Sequence, residues 1–183
     1  GPLQDFLRET ALRHKVWLVG GSIPLEASVP EKVRNSCLAF DDAGRRVARY
    51  DKIHLFGFRR GTEEYDESRT IEAGGEAVAF DSPVGRVGLS ICYDLRFPEL
   101  YRSLGPVYLL VVPAAFTHTT GQAHWELLLR ARAVENLCYV LASAQGGTHP
   151  SGRRTWGDSM VVDPWGAILA QSGAAMQGLF RNP

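Results

Sequence analysis

This sequence has no excess of either charge, no long apolar run and few cysteines. Lys and Arg together number 20, and so do Asp and Glu. The sequence therefore has no excess of basic residues that would favour nucleic acid or an anionic membrane surface as a partner. The longest apolar run, near Tyr108 to Phe116, is too short to span a bilayer. Nothing resembles a signal peptide, so we expect a soluble, cytoplasmic protein without a nucleic-acid or membrane partner.

The cysteines, Cys37, Cys92 and Cys138, are odd in number and have no CxxC spacing. This pattern favours neither a disulfide framework nor a zinc site, and we expect no metal and no cofactor. Cys37 and Cys138 lie in apolar runs, where a buried, inert thiol is the usual case. Cys92 is the cysteine with a distinctive context.

The length of 183 residues and a 45% hydrophobic, 22% charged composition predict one domain spanning residues 1–183. The first half predicts a helix in DFLRETALRHK and a buried strand ended by Gly20-Gly21. A hairpin follows, with its turn at residues 42–44, and then a polar loop from Gly57 to Gly75.

The second half alternates strands and helices. Two strands around a Pro-Val-Gly turn are expected, the second ending on Cys92, followed by a short helix closed by Gly105. An apolar strand precedes an amphipathic helix beginning at His124. Three further strands complete the pattern, the last two around the turn at residues 163–166. Together these elements predict an α/β sandwich, rich in sheet, with helices on its outer faces.

Cys92 lies at the carboxyl end of an apolar strand, the position from which α/β sheets usually present catalytic groups. A nearby cation and the following helix could ionise its thiol, and the amide of Tyr93 could point at a developing oxyanion. Taken alone, this segment is also compatible with a buried structural cysteine.

Lys52 ends another apolar strand, where a charged side chain needs an anionic neighbour. Beside the Cys92 thiol it would favour the thiolate and stabilise the negative oxygen of a tetrahedral intermediate. A solvated lysine at a sheet edge is the alternative.

Four blocks in order, YDKIHLF, CYDLRFPEL, HWELLLRARAVEN and WGDSMVVDPWG, resemble the carbon–nitrogen hydrolase (nitrilase) superfamily. SAQGGTH with GRRTWGDSMVVDPWG is most similar to the branch of deaminated glutathione amidase and omega-amidase. The resemblance implies an αββα sandwich and a Glu-Lys-Cys catalytic set. Cys92 and Lys52 match that set. Glu67 matches a second family glutamate that would hold and tune Lys52, although a solvated loop charge is the alternative.

The resemblance also implies a general-base glutamate upstream of the segment VWLVGGSIP. Nothing in this numbering matches it, since Pro30-Glu31 falls in the loop of the first hairpin. We therefore expect an αββα domain that is incomplete at its N-terminus and shortened after Gln171. Because losing a positioned base typically costs about 10² to 10⁴ in rate, we expect slow turnover.

The predicted activity is hydrolysis of a small linear amide, an omega-amide or a deaminated glutathione-like compound, through a Cys92 thioester. Substrate-binding candidates are Tyr93, Phe116, Thr117 and Arg96, the last for a substrate carboxylate or, alternatively, for a structural ion-pair cluster with Asp94 and Glu99.

Several alternatives stay open. The chain could be an impaired member or fragment that only binds ligands or partners, or it could hydrolyse nitriles or transfer acyl groups with the same cysteine. A Cys-His mechanism using His54, His118 or His124 is weaker. The family resemblance further implies a homodimer or higher oligomer.

Overall fold

Four layers build the protein, in the order helix, sheet, sheet, helix. The computed structural model describes residues 1–61 and 63–172. The predicted αββα arrangement is confirmed, while the shortening predicted after Gln171 concerns residues beyond 172, outside the described part. Among the described residues, no helix is both long enough and apolar enough to cross a bilayer.

The first two layers come from the first part of the chain. Helix α1 (Pro2–His14) ends where Lys15 takes a left-handed conformation. Strands β1 (Leu18–Glu26), β2 (Val33–Phe40) and β3 (Arg46–Asp51) then form an antiparallel sheet in that order. The predicted hairpin is confirmed as β2 and β3. The prediction that Gly20-Gly21 ends the first strand is wrong, because β1 continues through the glycines with an irregular register.

Strand β2 explains why this sheet is covered on both faces. Successive side chains of a strand point to opposite sides. Cys37 and Ala39 belong to the main core, which this sheet shares with the second sheet. Leu38 and Phe40 pack on the other side with Ala11 of α1. The run of buried residues in β2 therefore indicates a strand that is covered on both faces.

The segment predicted as a polar loop, Gly57 to Gly75, holds a small hairpin instead. Its strands are β4 (Gly57–Arg60) and β5 (Glu63–Asp66). A 3₁₀ turn follows at Glu67–Arg69, where the Asp66 side chain accepts the Ser68 N–H. The polar composition misled the prediction because five of the eight strand residues are charged.

The remaining elements form the third and fourth layers. In chain order they are β6 (Ala79–Ser82), β7 (Gly85–Leu89), α2 (Pro98–Ser103), β8 (Leu109–Ala114), α3 (His118–Asn136), β9 (Tyr139–Ala144), β10 (Gly146–Thr148), β11 (Arg154–Trp156), β12 (Met160–Val162) and β13 (Ile168–Gln171). The six-stranded sheet has the order β13-β12-β9-β8-β7-β6, and β10 pairs with β11 separately.

The three central strands of this sheet determine where the candidate site lies. Strands β7, β8 and β9 are parallel, so their carboxyl ends lie at one edge. Helix α3 covers the sheet by burying Trp125, Leu129 and Ala133, spaced four residues apart on one face. It begins at His118, six residues before the predicted start at His124. Residues that follow β7 and β8 therefore meet beneath the start of α3.

Candidate active site

Cys92 begins a 3₁₀ turn, Cys92–Arg96, just after β7. Its φ of 53° lies in the left-handed region, which a residue with a side chain rarely adopts. Such strain costs on the order of 1–3 kcal/mol and persists where the surrounding fold imposes it. The sharp turn sets the thiol at the strand end, on the wall of a cavity.

The cavity collects residues from distant parts of the chain. It is lined by Phe56, Glu67, Cys92, Tyr93, Ala115, Phe116, Thr117, Thr120 and Arg153. Five of these were predicted site residues: Cys92, Glu67, Tyr93, Phe116 and Thr117. No histidine of the described residues lines the cavity, which gives the Cys-His alternative no structural support. No cluster of His, Cys, Asp or Glu in that part of the chain could hold a metal ion.

Lys52 is buried behind the cavity, with only 1% of its side chain exposed. Its Nζ donates to Glu67 Oε2 at 2.5 Å, and the backbone N–H of Phe56 donates to the same oxygen at 2.8 Å. Glu64 instead pairs with Arg59 at the surface. The expected anionic neighbour of Lys52 is therefore Glu67, and the catalytic roles of the two residues stay predictions.

The electrostatics at Cys92 oppose the simplest expectation. Burial raises the pKa of the Cys92 thiol, and this outweighs the nearby Lys52 ammonium, the Ala115 amide and the Arg153 guanidinium, which lower it. The Glu67 carboxylate raises the pKa further. Burial therefore acts against the ionisation that the sequence predicts for this thiol, and the nearby cations offset it only in part.

Asp94 joins the segment around Lys52 to the turn that begins at Cys92, and it is completely buried. Its Oδ2 accepts the Tyr50 hydroxyl at 2.7 Å and the Ile91 N–H at 2.8 Å. Its Oδ1 accepts the His54 N–H at 3.0 Å and lies 2.8 Å from His54 Nδ1. Tyr50 and His54 flank Lys52, while Ile91 precedes Cys92. One carboxyl group thus ties the end of β3 to the turn that begins at Cys92.

The predicted ion-pair cluster of Asp94, Arg96 and Glu99 is wrong for Asp94, whose partners are Tyr50, His54 and Ile91. The one signal in the sequence was that Asp94 lies two residues after the candidate nucleophile Cys92. Two of its partners, Tyr50 and His54, lie 44 and 40 residues away in sequence, so the spacing did not reveal them.

The predicted substrate-binding residues divide into two groups. Tyr93, Phe116 and Thr117 line the cavity. The Arg96 guanidinium instead lies over the rings of Tyr93 and Phe116, at 5.8 and 5.5 Å from their centroids. Its Nη2 is 3.2 Å from His124 Nδ1. Arg96 thus packs against two rings that line the cavity, and its role in carboxylate binding stays a prediction.

Sequence reasoning missed four lining residues: Phe56, Ala115, Thr120 and Arg153. Thr120 lies within hydrogen-bonding distance of Thr117, their Oγ1 atoms being 2.6 Å apart. Arg153 belongs to the block GRRTWGDSMVVDPWG, which supported the family resemblance without suggesting a role for the arginine.

A model of the carbon–nitrogen hydrolase family matches residues 1–180. The chain belongs to this family. This chain is 48% identical over 184 residues to deaminated glutathione amidase of Yersinia enterocolitica, and the match covers 98% of this chain and 64% of the relative. It is 45% identical over 171 residues to omega-amidase NIT2 of Homo sapiens, covering 91% of this chain and 61% of that protein.

A solved structure supports the same assignment for this carbon–nitrogen hydrolase. The C. elegans NitFhit protein superposes with a TM-score of 0.83 at 47% identity, covering 93% of this chain and 43% of that chain. The predicted family and branch are confirmed. The chain spans less than two thirds of the length of each of these three proteins.

Proposed function

We propose that this carbon–nitrogen hydrolase cleaves the non-peptide C–N bond of a small linear amide through a Cys92 thioester. The observation that carries the proposal is the strained Cys92 on a cavity wall that also holds Glu67, the partner of the buried Lys52. The names of the relatives, an omega-amidase and a deaminated glutathione amidase, support an amide as the substrate.

The reaction follows from the chemistry of a thiol beside an ammonium group. The Cys92 sulfur forms a bond to the amide carbon, and the carbonyl electrons move onto oxygen. The C–N bond then breaks, and the thiol proton leaves with ammonia or an amine. Water finally attacks the thioester, releasing a carboxylic acid and restoring the Cys92 thiol.

Each neighbour of Cys92 has a role in this scheme. The Lys52 ammonium and the Tyr93 amide would stabilise the negative oxygen of the tetrahedral intermediate. Glu67 orients the Lys52 side chain by accepting its hydrogen bond. Phe116 supplies an apolar wall and Thr117 a hydroxyl beside the substrate. Arg96 would favour an omega-amide, whose far end carries a carboxylate.

Proton removal from Cys92 is the step that this site supports least. Glu67 is the one carboxyl group among the described residues that line the cavity, and its Oε2 already accepts from Lys52 and Phe56. The raised pKa of the thiol increases the need for a base. This observation favours a second candidate function, in which residues 1–183 bind a small amide and acylate slowly without efficient turnover.

Intact-mass analysis after incubation with an omega-amide separates these functions. We expect an acyl adduct that requires Cys92, formed by the parent and by Cys138→Ala but not by Cys92→Ala. Accumulated adduct without released acid would indicate slow turnover, and rapid release of acid would indicate an efficient amidase. Absence of both adduct and acid, with ligand still bound, would leave the binding function and refute the hydrolase proposal.

The same adduct experiment tests the alternatives that use Cys92. A nitrile substrate would give a thioimidate, and an amine acceptor would give a new amide instead of an acid. We also propose a cytoplasmic location and a homodimer or higher oligomer. Light scattering tests the latter, since a monodisperse monomer would contradict it.

A further inference from the structure

Residues 70–74 form a strap that runs beside the start of β2 and the end of β3. Its Ile71 makes a parallel bridge with Val33, the first residue of β2. Three residues further along, the Gly74 N–H donates to the Lys52 carbonyl at 2.8 Å. Because Lys52 directly follows β3, the strap supports the backbone that carries the buried ammonium group.

The same strap also holds the side chain of Lys52, through Glu67. Lys52 Nζ donates to Glu67 Oε2 at 2.5 Å, and the Glu67 carbonyl accepts the Ile71 N–H at 2.8 Å, where the strap begins. On its other side the Lys52 N–H donates to the Asn35 carbonyl of β2 at 2.9 Å. The strap therefore connects the partner of the ammonium to the partner of the Lys52 carbonyl, and it fixes the direction of the side chain between them.

Glycine is required at position 74 by its closeness to β3. A Cβ on Gly74 would lie 2.1 Å from the Asp51 carbonyl oxygen and 2.8 Å from the Asp51 carbonyl carbon. Both are backbone atoms of a strand paired through Ser36, so no side-chain rotation relieves the contact. The next residue, Gly75, would place a Cβ in open space. Only glycine at position 74 allows the strap to reach the Lys52 carbonyl.

The middle of the strap is anchored by Glu72. Its carboxylate accepts the Ser28 N–H at 2.7 Å, the Ser28 hydroxyl at 2.6 Å and the Val29 N–H at 3.1 Å. It also pairs with Arg34, whose Nη1 donates to the Ala73 carbonyl at 2.8 Å. Hydrogen bonds to an ionised group are stronger than those between neutral groups. The strap is thus fixed to the loop between β1 and β2 before it reaches Lys52.

We propose that Gly74 is a positioning residue for Lys52, and that the strap holds the Lys52 ammonium where it acts on Cys92. The inference rests on the proposed role of Lys52 in amide cleavage and adds to it a residue that does not line the cavity. A side chain at position 74 would push the strap away from β3 and break its bond to the Lys52 carbonyl. The ammonium would then turn away from the thiol.

The pH profile of Cys92 alkylation by iodoacetamide tests the proposal without an amide substrate. Burial raises the pKa of Cys92, and the Lys52 ammonium lowers it. Displacing the ammonium should therefore move the midpoint of the profile to higher pH, whereas a change in access would alter the rate of the thiolate at every pH equally. Glu67 and Arg153, the other charged groups that act on this thiol, are unchanged in every variant.

We expect Gly74→Ala to slow alkylation about fivefold below the midpoint, which corresponds to an upward shift of about 0.7 pH unit. The matched control is Gly75→Ala, the same change one residue further along, which should stay within twofold of the parent. In a Lys52→Met background, Gly74→Ala should cause no further shift, because no ammonium remains to be displaced. Circular dichroism shows whether each variant is folded.

Glu72→Gln loosens the strap without introducing a clash, and it decides the question if Gly74→Ala does not fold. Loss of an acidic group would by itself lower the pKa of a thiol and speed its alkylation. We expect slower alkylation instead, by about twofold to threefold, because the strap loses its charged anchor.

Four results would overturn the proposal. They are a folded Gly74→Ala protein with the midpoint of the parent, an equal shift in Gly75→Ala, a shift that persists in the Lys52→Met background, and a Glu72→Gln protein that is alkylated as fast as the parent or faster. Acylation by succinamate tests the amide function separately, since its absence would leave the alkylation profiles unchanged.

Discussion

Replacing Asp94 with Asn tests whether one buried carboxyl group positions both catalytic segments. The substitution keeps the shape of the side chain and exchanges one oxygen for an NH₂ group. If NH₂ takes the place of Oδ1, it faces the His54 N–H; if it takes the place of Oδ2, it faces the Ile91 N–H. The Tyr50 hydroxyl and the His54 ring can reverse their roles, but a backbone N–H cannot.

The cost follows from this geometry. Either orientation leaves one buried backbone N–H without an acceptor, which costs about 1–3 kcal/mol. The remaining bonds lose the assistance of a full negative charge, which adds roughly 1 kcal/mol. We therefore expect Asp94→Asn to lower the free energy of unfolding by about 2–4 kcal/mol, a large share of the stability of a typical domain.

Two measurements check this prediction. Urea denaturation gives the change in unfolding free energy, and native-state alkylation by iodoacetamide reports the position of Cys92. We expect faster alkylation, because a loosened turn exposes the thiol. Asp81→Asn is the matched control, since Asp81 is 86% exposed and its pair with Arg86 is long, at 4.0 Å.

The positioning role would be refuted by an Asp94→Asn protein that unfolds and alkylates like Asp81→Asn. A loss of stability with unchanged alkylation of Cys92 would reduce Asp94 to a structural residue. The two readouts therefore separate general stability from placement of the nucleophile.

Three further predictions concern the thiols and one glycine. Lys52→Met should slow alkylation of Cys92 and Glu67→Gln should speed it, because the two charges move the pKa of Cys92 in opposite directions; equal effects would contradict this. Burial raises the pKa of Cys37 to about 12. The unfolded chain therefore ionises this thiol at a lower pH than the folded protein does. The full stability is present below the ordinary thiol pKa and falls as pH rises from there towards 12. Unfolding free energy should fall by about 1.4 kcal/mol more between pH 8 and 10 in the parent than in Cys37→Ala. Gly121→Ala should cost about 1–3 kcal/mol in urea denaturation, because its Cβ would lie 2.3 Å from Trp156 Cβ; Gly75→Ala, in open space, should cost less than 1 kcal/mol, and equal losses would count against the packing argument.

Much of the fold was predictable because burial leaves a local pattern. The run of apolar residues in β2 indicates a strand covered on both faces, and the four-residue spacing of Trp125, Leu129 and Ala133 indicates a helix packed on one side. The hairpin of β4 and β5 was not predictable, since its polar strands resemble a loop and depend on pairing with each other.

Part of the site was also predictable. A lysine at the end of an apolar strand requires an anion, and Glu67 supplies it. The sign of the pKa shift at Cys92 was not predictable, because it depends on how burial compares with the charges of Lys52, Glu67 and Arg153. Sequence identifies these groups but does not give the distances between them.

The sequence by itself determined the layered α/β class, the family and the identity of Cys92 and Lys52 as candidate catalytic residues, because periodicity and adjacent motifs are local properties of the chain. Only the tertiary structure decided that Asp94 ties the Lys52 segment to the Cys92 turn and that Arg153 lies on the cavity wall together with Cys92. Both depend on residues that lie about forty to sixty positions apart in the sequence and that only the folded chain brings together.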